Sequence, residues 1–351
     1  MREIASELER FLGAGERIAL ATVVDTRRSA PRPVGAKLLI SSGGELAGSV
    51  SGGCVENEVF GVGQEVLGGA PPRRLEYGIT DDVAFGVGLP CGGEIDVWVE
   101  TPDPELLRRA ARAEAVGEHG VRFVVLDGEA TGANLLVLES GESVGDGPAT
   151  LPPLVPELVR GGRSTLLEVE GATVFADVVG PPPRLLIFGA VDTAEALCRL
   201  ANDIGWRTAV SDPRAKFATR ERIPSADELL VAWPEDVLRD SGADHATAVV
   251  VLTHEERFDV PALAGALATE AFYVGALGSR RAQDARRERL LEAGVSEDAI
   301  DRIAGPCGLD IGASTPAETA LSILGEVVAA RAGRTGGRLK EARGRIHADV
   351  A

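Results

Sequence analysis

The sequence predicts an α/β protein with an N-terminal α+β domain at residues 1–180 and a C-terminal Rossmann-like domain, doubly wound on a parallel sheet, at 184–332. Three observations predict it. At 351 residues the chain exceeds one usual core, so two domains are expected. Pro181, Pro182 and Pro183 form a stiff spacer with an apolar strand directly after it. Across those prolines the pattern changes from runs of strands with few helices to short apolar strands alternating with helical stretches, the mark of a parallel sheet covered on both faces.

In chain order, helical spacing is expected over 1–12, 55–67 and 104–116. Strands are expected over 18–26, 36–40, 46–50, 74–79, 95–99, 123–126, 134–138 and 164–176. Residues 141–162, rich in Gly and Pro, read as a loop or hairpin extension. The second half gives strands over 184–189, 208–211, 228–232, 248–253 and 271–277. Ala194, Leu197, Leu200, Ala201 and Ile204 recur at helical spacing, and Cys198 beside them reads as core. Residues 333–351 are a polar tail, and no internal repeat is evident.

Apolar residues make up 44% of the chain and its net charge is −18. That charge argues against nucleic acid or an anionic membrane as partner, and any anion bound needs a local basic patch. No apolar run approaches the roughly 18 residues of a membrane span, and the N-terminus has no signal-peptide pattern, so a cytoplasmic location is expected. Four unclustered cysteines then read as free thiols, and no C-x-x-C or H-x-x-x-H spacing supports zinc.

Two loops carry the first chemical signal. "AGSVSGGCVENEV" places Gly52 and Gly53 before Cys54 at the mouth of a helix, where unpaired N–H groups favour an anion or a thiolate. "GVGLPCGGEIDVWVE" places Gly92 and Gly93 after Cys91 at the start of a strand. Each has a carboxylate within three residues. Cys54 and Cys91 are therefore expected in loops facing one cleft.

The second half carries an incomplete dinucleotide signal. Its first strand ends in Gly189-Ala190-Val191-Asp192-Thr193-Ala194, with Asp212 where a ribose-binding acid would sit, but the middle glycine of G-x-G-x-x-G is missing. NAD(P) binding is therefore not expected. "VGALGSRRAQDARRERL" runs from a strand through Gly278 and Ser279 into a helix opening with Arg280 and Arg281. Cations there oppose the helix dipole unless an anion occupies its N-terminus; the alternative is a solvated basic face continuing through Arg286, Arg287 and Arg289. In "GPCGLDIGASTPAET", Thr315, Pro316 and Glu318 fit N-cap, N1 and N3 of a helix. The loop before it holds Cys307, a third candidate thiol, with Gly308, Asp310 and Gly312. His254 follows the end of another strand.

The motifs "SAPRPVGAKLLI", "GSVSGGCVE", "YGITDD", "GVGLPCGGEIDV", "VVLTHEERFD", "GALGSRR" and "GLDIGASTPAETALSILGEVVAAR" occur in an order that resembles the XdhC/CoxI family, accessory factors of xanthine dehydrogenase and related molybdenum hydroxylases. The resemblance implies a chaperone that binds molybdenum cofactor in its molybdopterin form, assists its sulfuration by a cysteine desulfurase, and passes it to the apo hydroxylase. Gly52, Gly53, Cys54, Cys91, Gly92 and Gly93 would then surround the dithiolene and metal, while Gly278, Ser279, Arg280 and Arg281 would hold the phosphate and Asp310 would border the site. A homodimer is compatible with this reading. The chain departs from the family at Gly189–Ala194, where relatives typically show Gly-Ala-Gly-His. Alternatives are an NAD(P)-dependent oxidoreductase, or a sulfur-transfer enzyme using Cys54 and Cys91 as a dithiol.

Overall fold

A computed structural model describes residues 1–28, 30–78 and 93–341. Among the described residues the chain falls into two compact units, Met1–Pro181 and Pro182–Glu341. The first unit begins with α1 (Ala5–Gly13). An antiparallel sheet follows, made of β1 (Ile18–Arg27), β2 (Lys37–Ser41), β3 (Leu46–Gly48), β4 (Arg73–Tyr77) and β5 (Glu94–Glu100), in the order β3-β2-β1-β5-β4 with α2 (Glu56–Leu67) between β3 and β4. α3 (Pro104–Val116) leads to a second antiparallel sheet. It comprises β6 (Gly120–Val125), β7 (Asn134–Leu138), β8 (Ser143–Gly145), β9 (Thr165–Val169) and β10 (Ala172–Val179) in the order β8-β7-β6-β10-β9, with α4 (Val155–Gly161) between β8 and β9.

Period-2 alternation sets the layers. Ala19, Ala21 and Val23 of β1 turn toward α2, and Val121, Phe123 and Val125 of β6 turn toward α4. The other faces meet, with Val24 and Trp98 of the first sheet packed on Val124, Leu126 and Phe175 of the second. Burying each of these aromatics is worth about 3 kcal/mol. α1 and α3 close one end of this interlayer. α3 is well specified locally: Asp103 caps it by accepting from the Glu105 N–H at 2.8 Å, Pro104 opens it, and Gly117 ends it in the left-handed region.

Three expectations are corrected in this unit. Residues 164–176 are not one strand but the hairpin β9–β10, turned at Glu170 and Gly171, both with positive φ as a type I′ turn requires. The stretch 141–162, expected as a loop or hairpin extension, does close a hairpin, since β8 pairs with β7, but it also contains α4; Pro156 lies in the first turn of α4, where a missing N–H costs nothing. The two sheets also share one topology, so a structural repeat exists where none is evident on first reading of the sequence.

The second unit is a parallel sheet of β11 (Arg184–Phe188), β12 (Arg207–Ser211), β13 (Glu228–Leu230), β14 (Thr247–Val251), β15 (Tyr273–Ala276) and β16 (Ile303–Ala304), in the order β13-β12-β11-β14-β15-β16. This is the Rossmann order, with its switch point between β11 and β14. α5 (Asp192–Asp203) and α10 (Pro316–Arg331) cover one face. α6 (Pro234–Asp240), α7 (Glu256–Leu267) and α8 (Arg280–Glu292) cover the other, and the short α9 (Glu297–Ile300) leads into β16. Cys198 lies in the core, its thiol pushed up to about 12 by burial. No helix among the described residues is long and apolar enough to cross a membrane.

Candidate functional site

In the first sheet, three connections leave from the same end. Gly48 pairs with Leu38 near the start of β2, Arg27 with Glu94 at the start of β5, and Tyr77 at the end of β4 with Ile95. The Cys54 loop therefore emerges at the end where the chain departs at Gly78 and returns at Gly93. Cys91 and Gly92 lie outside the described residues.

Cys54 is exposed. Gly52 and Gly53 both take positive φ, and a Cβ at either would meet no neighbour, so the loop is open on that side. Its backbone donors, however, are not free for a ligand. The Glu56 carboxylate accepts the N–H groups of Val50 (3.2 Å), Ser51 (2.9 Å), Gly53 (2.8 Å) and Val55 (3.2 Å), together with the hydroxyls of Ser49 (2.7 Å) and Ser51. Ser49 Oγ accepts from Gly52, and Ser51 Oγ from Cys54 and Val55. Burial opposes ionisation of Glu56, but the bonds from Ser51 and Ser49 override it and hold the carboxyl at about 2. The expectation of unpaired N–H groups beneath Cys54 is thus corrected: the protein supplies its own anion there. An acid two residues past the cysteine was the available signal, but spacing alone does not show that it folds back into the loop.

Cations at this end are also committed. Arg27 bonds Asp25 (2.9 Å), Glu94 (2.9 Å) and Asp96 (3.1 Å), and Arg74 pairs with Asp96.

At the carboxyl edge of the second sheet, Asp212 is fully buried and occupied. It accepts from the Ala190 N–H (3.0 Å), the Arg214 N–H (2.9 Å), and Arg214 Nε (2.9 Å) and Nη2 (2.8 Å). Burial opposes its ionisation, but these bonds lower its pKa. Arg214 also reaches Glu255 and stacks on Phe217, a role the sequence did not disclose. His254 is exposed.

α8 begins as expected: Ser279 caps it by accepting from the Ala282 N–H at 3.2 Å, and its first turn contains no acid. Arg280 and Arg281 are exposed and, among the described residues, unpaired. The basic run beyond them is partly a solvated face: Arg287 and Arg289 stay at the surface in ion pairs, and Arg286 alone of the three is buried. Arg286 is buried on Asp259 at 2.8 Å, and Asp259 also accepts from Thr253; Arg287 pairs with Glu297 and Asp301, and Arg289 with Glu256. Thr315 and Glu318 form the expected capping box. Asp310 is exposed, whereas Cys307 is buried and its thiol is pushed up to about 12 by burial and then by Glu326, which removes it from the candidate reactive thiols.

Residues 185–327 match the XdhC Rossmann domain, and residues 11–78 match the XdhC and CoxI family. The chain belongs to that family. A relative from Bacillus subtilis (strain 168), described as a probable subunit of xanthine dehydrogenase, is 30% identical over 329 residues, covering 92% of this chain and 96% of the relative. The molybdenum cofactor insertion chaperone PaoD of Escherichia coli (strain K12) is 29% identical over 323 residues, 91% of this chain and 85% of PaoD. A crystal structure described as a xanthine dehydrogenase from Bacillus halodurans superposes with a TM-score of 0.70 at 28% identity, covering 97% of this chain and 98% of the other. The XdhC/CoxI resemblance and the Rossmann-like second domain are therefore borne out.

Proposed function

We propose that the chain is a molybdenum cofactor insertion chaperone. It binds the molybdopterin form as cargo in the cytoplasm, assists its sulfuration by a cysteine desulfurase, and delivers it to an apo molybdenum hydroxylase of the xanthine dehydrogenase type. The observation that carries this is the likeness to PaoD over 91% of the chain. The cargo supplies molybdenum held by a pterin dithiolene, with a terminal phosphate.

In this reading the first unit offers the exposed sulfur of Cys54, on a loop whose donors Glu56 has already satisfied, and Cys91 is the second candidate thiol. Taken by itself, the second unit offers the exposed Arg280 and Arg281 at the start of α8 as a separate candidate anion site of the kind a phosphate takes. Gly278 and Ser279 present that helix start, and Asp310 borders the site. The engagement of Asp212 by Ala190 and Arg214 supports leaving NAD(P) out, since a ribose would have to displace Arg214. The chaperone acts alone or as a homodimer.

The test is anaerobic co-purification with the cofactor, read by metal analysis and pterin fluorescence. Stoichiometric molybdenum and pterin are expected. Metal-free protein that also fails to activate the apo hydroxylase, with cofactor supplied, would overturn the proposal.

A further inference from the structure

The two sheets of the first unit agree residue by residue. Superimposing their pairings makes Leu20 equivalent to Arg122, Lys37 to Asn134, Trp98 to Phe175 and Glu100 to Asp177. The stretches "GAKLLISSGGELAG" (35–48) and "GANLLVLESGESVG" (132–145) align without a gap and are identical at seven of fourteen positions. Gly48 and Gly145 both take positive φ, and a Cβ at either would run into one carbonyl oxygen, of Lys37 and of Asn134 respectively. α2 and α4 fall at the same point of each order.

The contacts between the sheets are exchanged. Lys37 Nζ donates to Asp177 of the other sheet (3.1 Å to Oδ1) and to the Gly35 carbonyl (2.9 Å). Its equivalent, Asn134 Nδ2, donates to Glu100 of the other sheet (2.7 Å) and to the Gly132 carbonyl (3.1 Å). Residue i touching j while the equivalent of i touches the equivalent of j is the signature of a two-fold interface. The charges compensate as well. Where Lys37 becomes the neutral Asn134, the equivalent of Leu20 becomes Arg122, buried against Glu100 and 3.8 Å from Asp177, so two cations still face two carboxylates.

We infer that the first unit is two tandem copies of one β-β-β-α-β-β module, and that the inward sheet face of each copy is an interaction surface whose partner is a second copy of the same module. The polar residues set the register of that association. Trp98, Val24, Phe175 and Leu126 supply its apolar centre.

The experiment restores the first module's residues in the second, in the full-length chain. Arg122→Leu alone strips a buried cation from two carboxylates, and Asn134→Lys alone adds a third cation. Each should lower the melting temperature of the first unit by roughly 10 °C. Arg122→Leu with Asn134→Lys reproduces the Leu20/Lys37 set and should recover at least half of the summed loss. Should a single variant fail to fold, a folded double variant still supports the inference. Trp98→Phe with Phe175→Trp is a charge-free version, in which the pair should again be more stable than the sum of its singles. Strictly additive losses in both pairs would overturn the inference.

Discussion

Glu56→Gln tests the one carboxylate that organises the Cys54 loop. One oxygen of Glu56 serves Val50, Ser51 and the Ser49 hydroxyl, and the other serves Gly53, Val55 and the Ser51 hydroxyl. An amide replaces one acceptor by a donor, so one of these sets is left facing N–H groups. The fall of the carboxyl from 4.5 to about 2 is worth about 3 kcal/mol before screening. Because the group is only partly buried, about 1–2 kcal/mol survives. The backbone amides of residues 50–55 should then exchange with solvent roughly 5 to 30 times faster in the variant at pH 7, while those in the α2 core keep their protection. The sign of the pH dependence follows from the depressed pKa: the stabilisation is complete above about 4.5 and is lost as pH falls toward 2. Hydrogen exchange read residue by residue is the assay. Equal protection of these amides in the parent and in Glu56→Gln would refute the reasoning.

Cys54→Ser and Cys91→Ser should each reduce cofactor retention without unfolding the chain, checked by pterin fluorescence beside a melting curve; Cys54 is exposed, so its replacement opens no cavity. Arg280→Ala with Arg281→Ala should weaken cofactor binding by about two orders of magnitude, since each charge-assisted bond to phosphate is worth about 1.5–3 kcal/mol. The same variant should lose most of the salt dependence of binding, measured by titration at several ionic strengths. Replacing residues 78–94 by Glu-Gly, the turn that closes the equivalent hairpin β9–β10, should leave a folded protein by circular dichroism that no longer retains cofactor.

How much was legible beforehand differs between local and distant features. The capping box at Thr315 and Glu318 and the Ser279 cap were readable, because donor and acceptor lie within three residues. The Rossmann strands were readable because both faces of each are apolar, although β16, with two half-buried residues, gave no such signal. Hairpin β9–β10 was read as one strand, since Glu170 and Gly171 interrupt an otherwise continuous β pattern. Among the candidate residues, the exposed Cys54 loop of the first unit and the exposed Arg280 and Arg281 of the second were legible as exposed chemistry in loops and first turns. The states of Glu56 and Asp212 were not, because satisfaction of a carboxylate depends on which donors the fold brings to it.

The sequence by itself therefore determined the fold class, the proline break and the family, all properties of patterns along the chain. Tertiary structure alone decided which charges are spent. Arg286 and Arg280 belong to one basic run, yet one is buried on Asp259 and the other is exposed and, among the described residues, unpaired. Tertiary structure also disclosed the duplicated module. Side-chain identity has drifted between its halves, while strand order, register and the exchanged Lys37–Asp177 and Asn134–Glu100 contacts have not. Backbone pairing and buried charge balance constrain a packed interface more tightly than they constrain the sequence that builds it.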